Sequence, residues 1–119
     1  MINEVDLLKK YNQKGVLYGD ELIILKEFCE EFIASCEHAD LAIIGIEGFY
    51  LFSDGNIMPN LDEITDFSEI NSENWYAYLQ QCISASRKFV NYMLRNGKSD
   101  GYCFSLMNNY EFEKFHTSV

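Results

Sequence analysis

The sequence predicts an α+β domain in which two long amphipathic helices pack on a small, mostly antiparallel sheet of three to five strands. Three observations carry that expectation. Apolar residues recur every three or four positions over two long stretches, Leu22 to Cys36 and Trp75 to Leu94. Short runs of β-branched and aromatic residues, bounded by Gly, Asp and Asn, lie between and after them. No strand–helix–strand alternation links those runs, so nothing calls for parallel crossovers. The length of 119 residues suits a single globular domain over 1–119, and 48% hydrophobic with 15% aromatic residues makes it a folded body rather than a disordered acidic chain.

Taken in order, residues 3–11 are expected to form a short opening helix. Asp20 is a good N-cap, and Leu22, Leu25, Cys29, Phe32, Ile33 and Cys36 after it form the stripe of a helix over 20–37. Its other side carries Glu27, Glu30, Glu31 and Glu37. Residues 41–45 and 49–52 read as strands with Gly48 as a bulge or bend between them, and Asp54-Gly55 as the hairpin turn before Ile57 and Met58. Pro59, the only proline, is expected to end that strand. Asn60 followed three residues later by Glu63 resembles a capping box for one helical turn, pointing Leu61, Ile64 and Phe67 inward.

The second long helix is expected over 73–96, with Ser72 as N-cap and Gly97 at its end. Trp75, Leu79, Cys82, Ile83, Phe89, Val90, Met93 and Leu94 form its apolar side, and Arg87, Lys88 and Arg95 complement the C-terminal dipole. Residues 102–107 read as a strand with Tyr102, Phe104 and Leu106 on one face. Residues 110–115 read as another, reached through a turn at Asn108-Asn109.

Charge is distributed one-sidedly along this frame. The net charge is −10, and no lysine or arginine occurs between Lys26 and Arg87. That interval holds Glu27, Glu30, Glu31, Glu37, Asp40, Glu47, Asp54, Asp62, Glu63, Asp66, Glu69 and Glu73. Carboxylates that face no cations repel one another and weaken the compact state, so a chain that keeps them is expected to use their field on a basic partner. The same field excludes nucleic acid and anionic membrane as ligands, since phosphates would be repelled. No basic, apolar leader opens the chain and no apolar run approaches the roughly 18 residues of a membrane span, so a cytoplasmic protein is expected.

Enzymatic marks are few. Cys29, Cys36, Cys82 and Cys103 sit in apolar patterns without CxxC spacing and read as reduced core thiols. His38 reads as a helix-end residue and His116 as solvated. Phosphate-loop, metalloprotease and nucleophile-elbow patterns are missing, and Asp54-Gly55-Asn56 lacks the ligand spacing of a calcium loop. The expectation is therefore a non-enzyme with no cofactor and no metal. Glu47, which interrupts an apolar run, has two readings: a bulge carboxylate accepting backbone hydrogen bonds, or the functional acid of a small ligand-binding domain or enzyme. The acids Asp62, Glu63, Asp66, Glu69 and Glu73 likewise read either as solvated helix starts or as a binding surface. Together with Asp54 and the aromatics Tyr50, Trp75 and Tyr76 they form the expected partner-binding set, an acid-and-ring arrangement suited to Arg or Lys. Trp75 and Tyr76 point about 100° apart on a helix, so one of them should be exposed. A homo-oligomeric adaptor is a third class, which like-charged faces discourage.

The stretch 41–68, LAIIGIEGFYLFSDGNIMPNLDEITDFS, resembles the central segment of small immunity proteins of bacterial polymorphic toxin and contact-dependent growth inhibition systems. The matching features are the strand ending in IEGFYL, the Asp54-Gly55 turn, Pro59 and LDEITDFS. The resemblance implies a cytosolic protein that binds a cognate toxin domain and blocks its active site or its approach to a target. Many such toxins are nucleases with basic clefts, which an acidic face would suit.

Overall fold

The short first helix is present as expected, as α1 (Glu4–Lys10), and Asn3 caps it, its side-chain oxygen accepting the Asp6 N–H at 2.9 Å. The computed structural model describes residues 3–117, with side chains described through 114. After α1 come β1 (Gly15–Tyr18), β2 (Glu21–Leu25), α2 (Cys29–His38), β3 (Ala42–Leu51), β4 (Ile57–Asp66), α3 (Trp75–Asn96), β5 (Gly101–Met107) and α4 (Asn109–Thr117). The five described strands form one sheet in the order β1-β2-β5-β3-β4, every neighbour antiparallel. The α+β class and the antiparallel sheet agree with the sequence. Two long helices do not: only α3, at 22 residues, is long, and α2 has 10.

The expected helix over 20–37 divides into strand β2, a 3-10 turn at Lys26–Phe28 and the shorter α2. Asp20 lies in the β1–β2 turn beside Gly19, whose φ of 63° is left-handed, and does not cap a helix. Leu22, Ile23 and Ile24 are all buried because β2 is flanked by β1 and β5 and buries side chains on both faces. A continuous apolar run of this kind satisfies strand and helix spacing equally, and the β-branched pair Ile23-Ile24 goes to the sheet.

β3 and β4 are long strands where shorter pieces were expected. The turn at Asp54-Gly55 is as predicted: Asp54 accepts the Asn56 N–H at 2.9 Å, and Gly55 supplies a φ of 91°. Pro59 does not end β4, because β4 is the sheet edge, where a missing N–H is tolerated. Nor do Asn60 and Glu63 form a helical turn. Gly48 of β3 pairs with Asn60 while Glu47 pairs with Ile64, so Leu61, Asp62 and Glu63 are surplus on β4 and form a bulge. Leu61 and Ile64 are exposed and only Phe67 reaches the core. The expected bulge at Gly48 is real, but its extra residues belong to the opposite strand.

Helix α3 stops where predicted, but Gly97 is its C-cap in extended backbone at φ −82° rather than a C′ residue, and its N-cap is Asn74, not Ser72: Asn74 accepts the Ala77 N–H at 3.0 Å. Its inward side carries Leu79, Cys82, Ile83 and Val90, while Leu94 is exposed. The strand expected over 110–115 is instead part of α4. Asn108 accepts the Glu111 N–H at 2.8 Å and Glu111 accepts the Asn108 N–H at 3.1 Å, the reciprocal bonds of a capping box.

All four described helices pack on one face of the sheet. Leu7 of α1, Phe32 and Ile33 of α2, Leu79 and Ile83 of α3 and Phe112 of α4 share one cluster with Ile24, Ile46, Tyr102 and Phe104. Ile24 stands opposite Tyr102 and Ile46 opposite Phe104, so their sequence neighbours Ile23, Cys103 and Glu47 point to the other face. Side chains of the strands themselves cover that second face, Tyr18 lying 5.3 Å from Phe49 between ring centroids. Cys29, Cys36 and Cys82 are buried free thiols, as expected, and Cys103 is half-buried on the second face. The His116 side chain falls outside the described side chains.

Candidate functional site

The second face of the sheet holds a groove of about 400 Å³ lined by Glu21, Glu47, Asp66, Cys103, Ser105 and Ile64. Pairing builds it. Glu47 stands opposite Cys103 on one side and Ile64 on the other, while Gly45, with no side chain to fill the space, stands opposite both Ser105 and Asp66. Glu21 closes the β2 side, where the Cys103 thiol donates to its carboxylate at 3.6 Å.

Three carboxylates thus line one groove, and none of them pairs with a lysine or arginine among the described residues. Asp66 is held ionised by Ser68, whose hydroxyl donates at 2.6 Å and whose N–H donates at 3.1 Å, placing its pKa below the ordinary carboxylate value. Glu47 makes no side-chain hydrogen bond among the described residues, so the reading of it as a bulge carboxylate satisfied by backbone donors fails. Cys103 is pushed up to about 12, first by burial and then by the charges of Glu21 and Glu47. The thiol stays protonated at neutral pH and offers no thiolate nucleophile. Among the described residues no group of three or more His, Cys, Asp or Glu side chains is arranged to hold a metal.

The satisfied carboxylate is Glu63. Expected on the binding surface, it is only 7% exposed and turned into the fold. Tyr102 donates its hydroxyl to Glu63 at 2.7 Å, the Ser99 N–H donates at 3.3 Å, and the Lys98 N–H donates to the second oxygen. Burial raises its pKa, but these hydrogen bonds outweigh burial and leave it below the ordinary 4.5. Asn60 completes the assembly, donating to the Ser99 hydroxyl at 3.0 Å and accepting the Asp62 N–H at 3.2 Å. Gly48 is needed for close approach, since a Cβ there would collide with the Ser99 hydroxyl and lie 3.0 Å from the Glu63 carbonyl.

The other expected partner-binding residues do not converge on one patch. Asp54 is at the hairpin tip, and Asp66 is at the far end of β4, opposite Gly45, six ladder steps from the Leu51–Ile57 pair that opens the hairpin, roughly 20 Å at ~3.3 Å per step. Asp62 is exposed on the bulge, and Glu69 and Glu73 are exposed in the connection to α3. Tyr50 is half-buried, its ring centroid 6.1 Å from that of Phe52. Trp75 packs against Phe112 at 5.3 Å, whereas Tyr76 is exposed beside Glu37, His38 and Asp40 on the helical side, so one of the pair faces out as expected. Glu21 was missed because the helix expected over 20–37 hid its strand position. Its available signal was its place at the head of the run ELIIL, directly after a Gly-Asp turn.

No family model matches the chain, and no curated protein matches it. Among the described residues no helix is long and apolar enough to cross a membrane.

Proposed function

We propose that this protein is a cytoplasmic immunity protein, a stoichiometric inhibitor that neutralises a toxin domain by docking the toxin's cationic surface on the sheet face that no helix covers. The observation that carries this reading is the groove of Glu21, Glu47 and Asp66, which faces outward without a cation of its own. Arginines and lysines of a nuclease-like cleft would there exchange substrate phosphates for carboxylates. Opposite potentials accelerate encounter, and well-packed charge pairs slow release. The resemblance of residues 41–68 to immunity proteins points the same way, because β3 and β4 supply Glu47 and Asp66.

The test is co-expression with the toxin domain encoded immediately upstream of the gene, together with calorimetry on the purified pair. Neutralisation with one-to-one binding is expected, and failure to bind or neutralise that domain overturns the proposal. A second reading, a small cationic ligand held by Glu47, draws on the same groove. It requires that Glu47→Gln abolish binding of an isolated ligand, whereas a protein interface would spread the loss over several acids.

A further inference from the structure

We propose that the β4 bulge is the apolar anchor of the interface: Leu61 enters a hydrophobic pocket on the cationic partner, and Asp62 pairs with an Arg or Lys at that pocket's rim. This rests on the inhibitor reading above and assigns the contact that would fix the partner's position.

Three features of the bulge support the assignment. Leu61 is 75% exposed on the outermost strand, beside the exposed Asp62, and Ile64, 52% exposed, stands opposite Glu47 on the groove face. An exposed apolar side chain bordered by acids matches the apolar core and polar rim of a protein interface. The second feature is order. The bulge is held from below by Glu63 and Asn60, whose side chains bond Lys98, Ser99, Tyr102 and the Asp62 N–H. No described buried side-chain polar atom is left without a partner. A protrusion already fixed by such bonds loses little further freedom on binding.

The third feature selects the occupant. Pro59 and the surplus residues 61–63 interrupt the regular ladder along the β4 edge, so a partner strand cannot extend the sheet there by backbone pairing. Recognition must use side chains. Asp62 and Asp66 flank the site without a cation among the described residues, which favours a basic surface and opposes a second copy of this acidic chain.

The experiment measures binding of the upstream toxin domain to the wild-type protein and to the Leu61→Ala, Asp62→Asn, Asp54→Asn and Glu47→Gln variants, with thermal melting of each and sedimentation of the wild type. Leu61→Ala is expected to raise Kd roughly 10- to 100-fold, mainly through faster release, with an unchanged melting temperature. Asp62→Asn should slow association and flatten its salt dependence, and Asp54→Asn at the distant hairpin tip should change neither. Binding by Leu61→Ala within about twofold of wild type, alongside a loss in Glu47→Gln, overturns the anchor while the inhibitor reading stands. A wild-type dimer dispersed by Leu61→Ala assigns the bulge to self-association and overturns the proposed partner. If the wild type does not bind the toxin domain, both the inhibitor reading and the anchor fall.

Discussion

Glu63 and Glu47 are sixteen positions apart on adjacent strands, yet their surroundings give them opposite roles. Glu63 is enclosed by donors, and Glu47 faces the groove with none. Glu63→Gln would aim an amide N–H₂ at a backbone or phenolic donor, and a loss of about 1.5–3 kcal/mol is expected, read from the urea midpoint. Because the folded-state pKa of Glu63 lies below the unfolded value near 4.5, its contribution is fully present above that pH and fades as the pH falls below it. The stability gap between wild type and Glu63→Gln should therefore narrow in acid. A gap that stays constant from neutral pH to well below 4.5 would contradict the ionic role. Gly48→Ala, which drives a methyl into the Ser99 hydroxyl, is expected to cost about 1–3 kcal/mol by the same measurement.

At the scale of elements, the same four-residue pattern occurs twice with different outcomes. Asn60-Leu-Asp-Glu63 has the spacing of a capping box and forms a strand bulge, whereas Asn108-Asn-Tyr-Glu111 has the same spacing and is a capping box. The difference lies in the residues just after each pattern and in the partners they meet. Ile64 and Thr65 find ladder partners in Glu47 and Ile46, while residues after 111 continue a helical turn that buries Phe112 against Trp75 and Tyr78. Asn108→Ala should consequently fray α4 at a cost of about 1 kcal/mol, visible as faster amide exchange at residues 109–112. Asn60→Ala should speed exchange at residues 61–63 instead. Equal protection in both variants would show that neither side chain holds its element.

Over the whole molecule the decisive asymmetry is between the two faces of the sheet. Helices cover one face, and the other carries Glu21, Glu47 and Asp66 at its groove. Exposed charges are screened beyond about 10 Å at 0.1 M salt, so their field acts mainly on encounter at low ionic strength. Reversing Asp62, Asp66 and Glu69 to lysine is expected to slow association with the proposed toxin domain at least tenfold at low salt and to remove most of its salt dependence, as stopped-flow fluorescence would report. Unchanged rates would move the interface away from this side of the molecule.

Local sequence sufficed for the α+β class, the α3 helix and its end at Gly97, the Asp54-Gly55 hairpin, the shared face of Tyr102, Phe104 and Leu106, and the lysine-free acidic middle. Local periodicity, turn chemistry and composition produce these features, and neighbouring residues set them among themselves. Tertiary structure decided the rest. Leu22 to Leu25 became strand because β1 and β5 lie beside them, and Pro59 was kept within β4 because β4 is an edge. Glu63 turned inward because residues 98, 99 and 102 bring their donors to it from more than thirty positions away. Which acids are structural and which face a partner depends on donors and cations supplied by distant segments, and burial by those segments is what a single stretch of sequence does not encode.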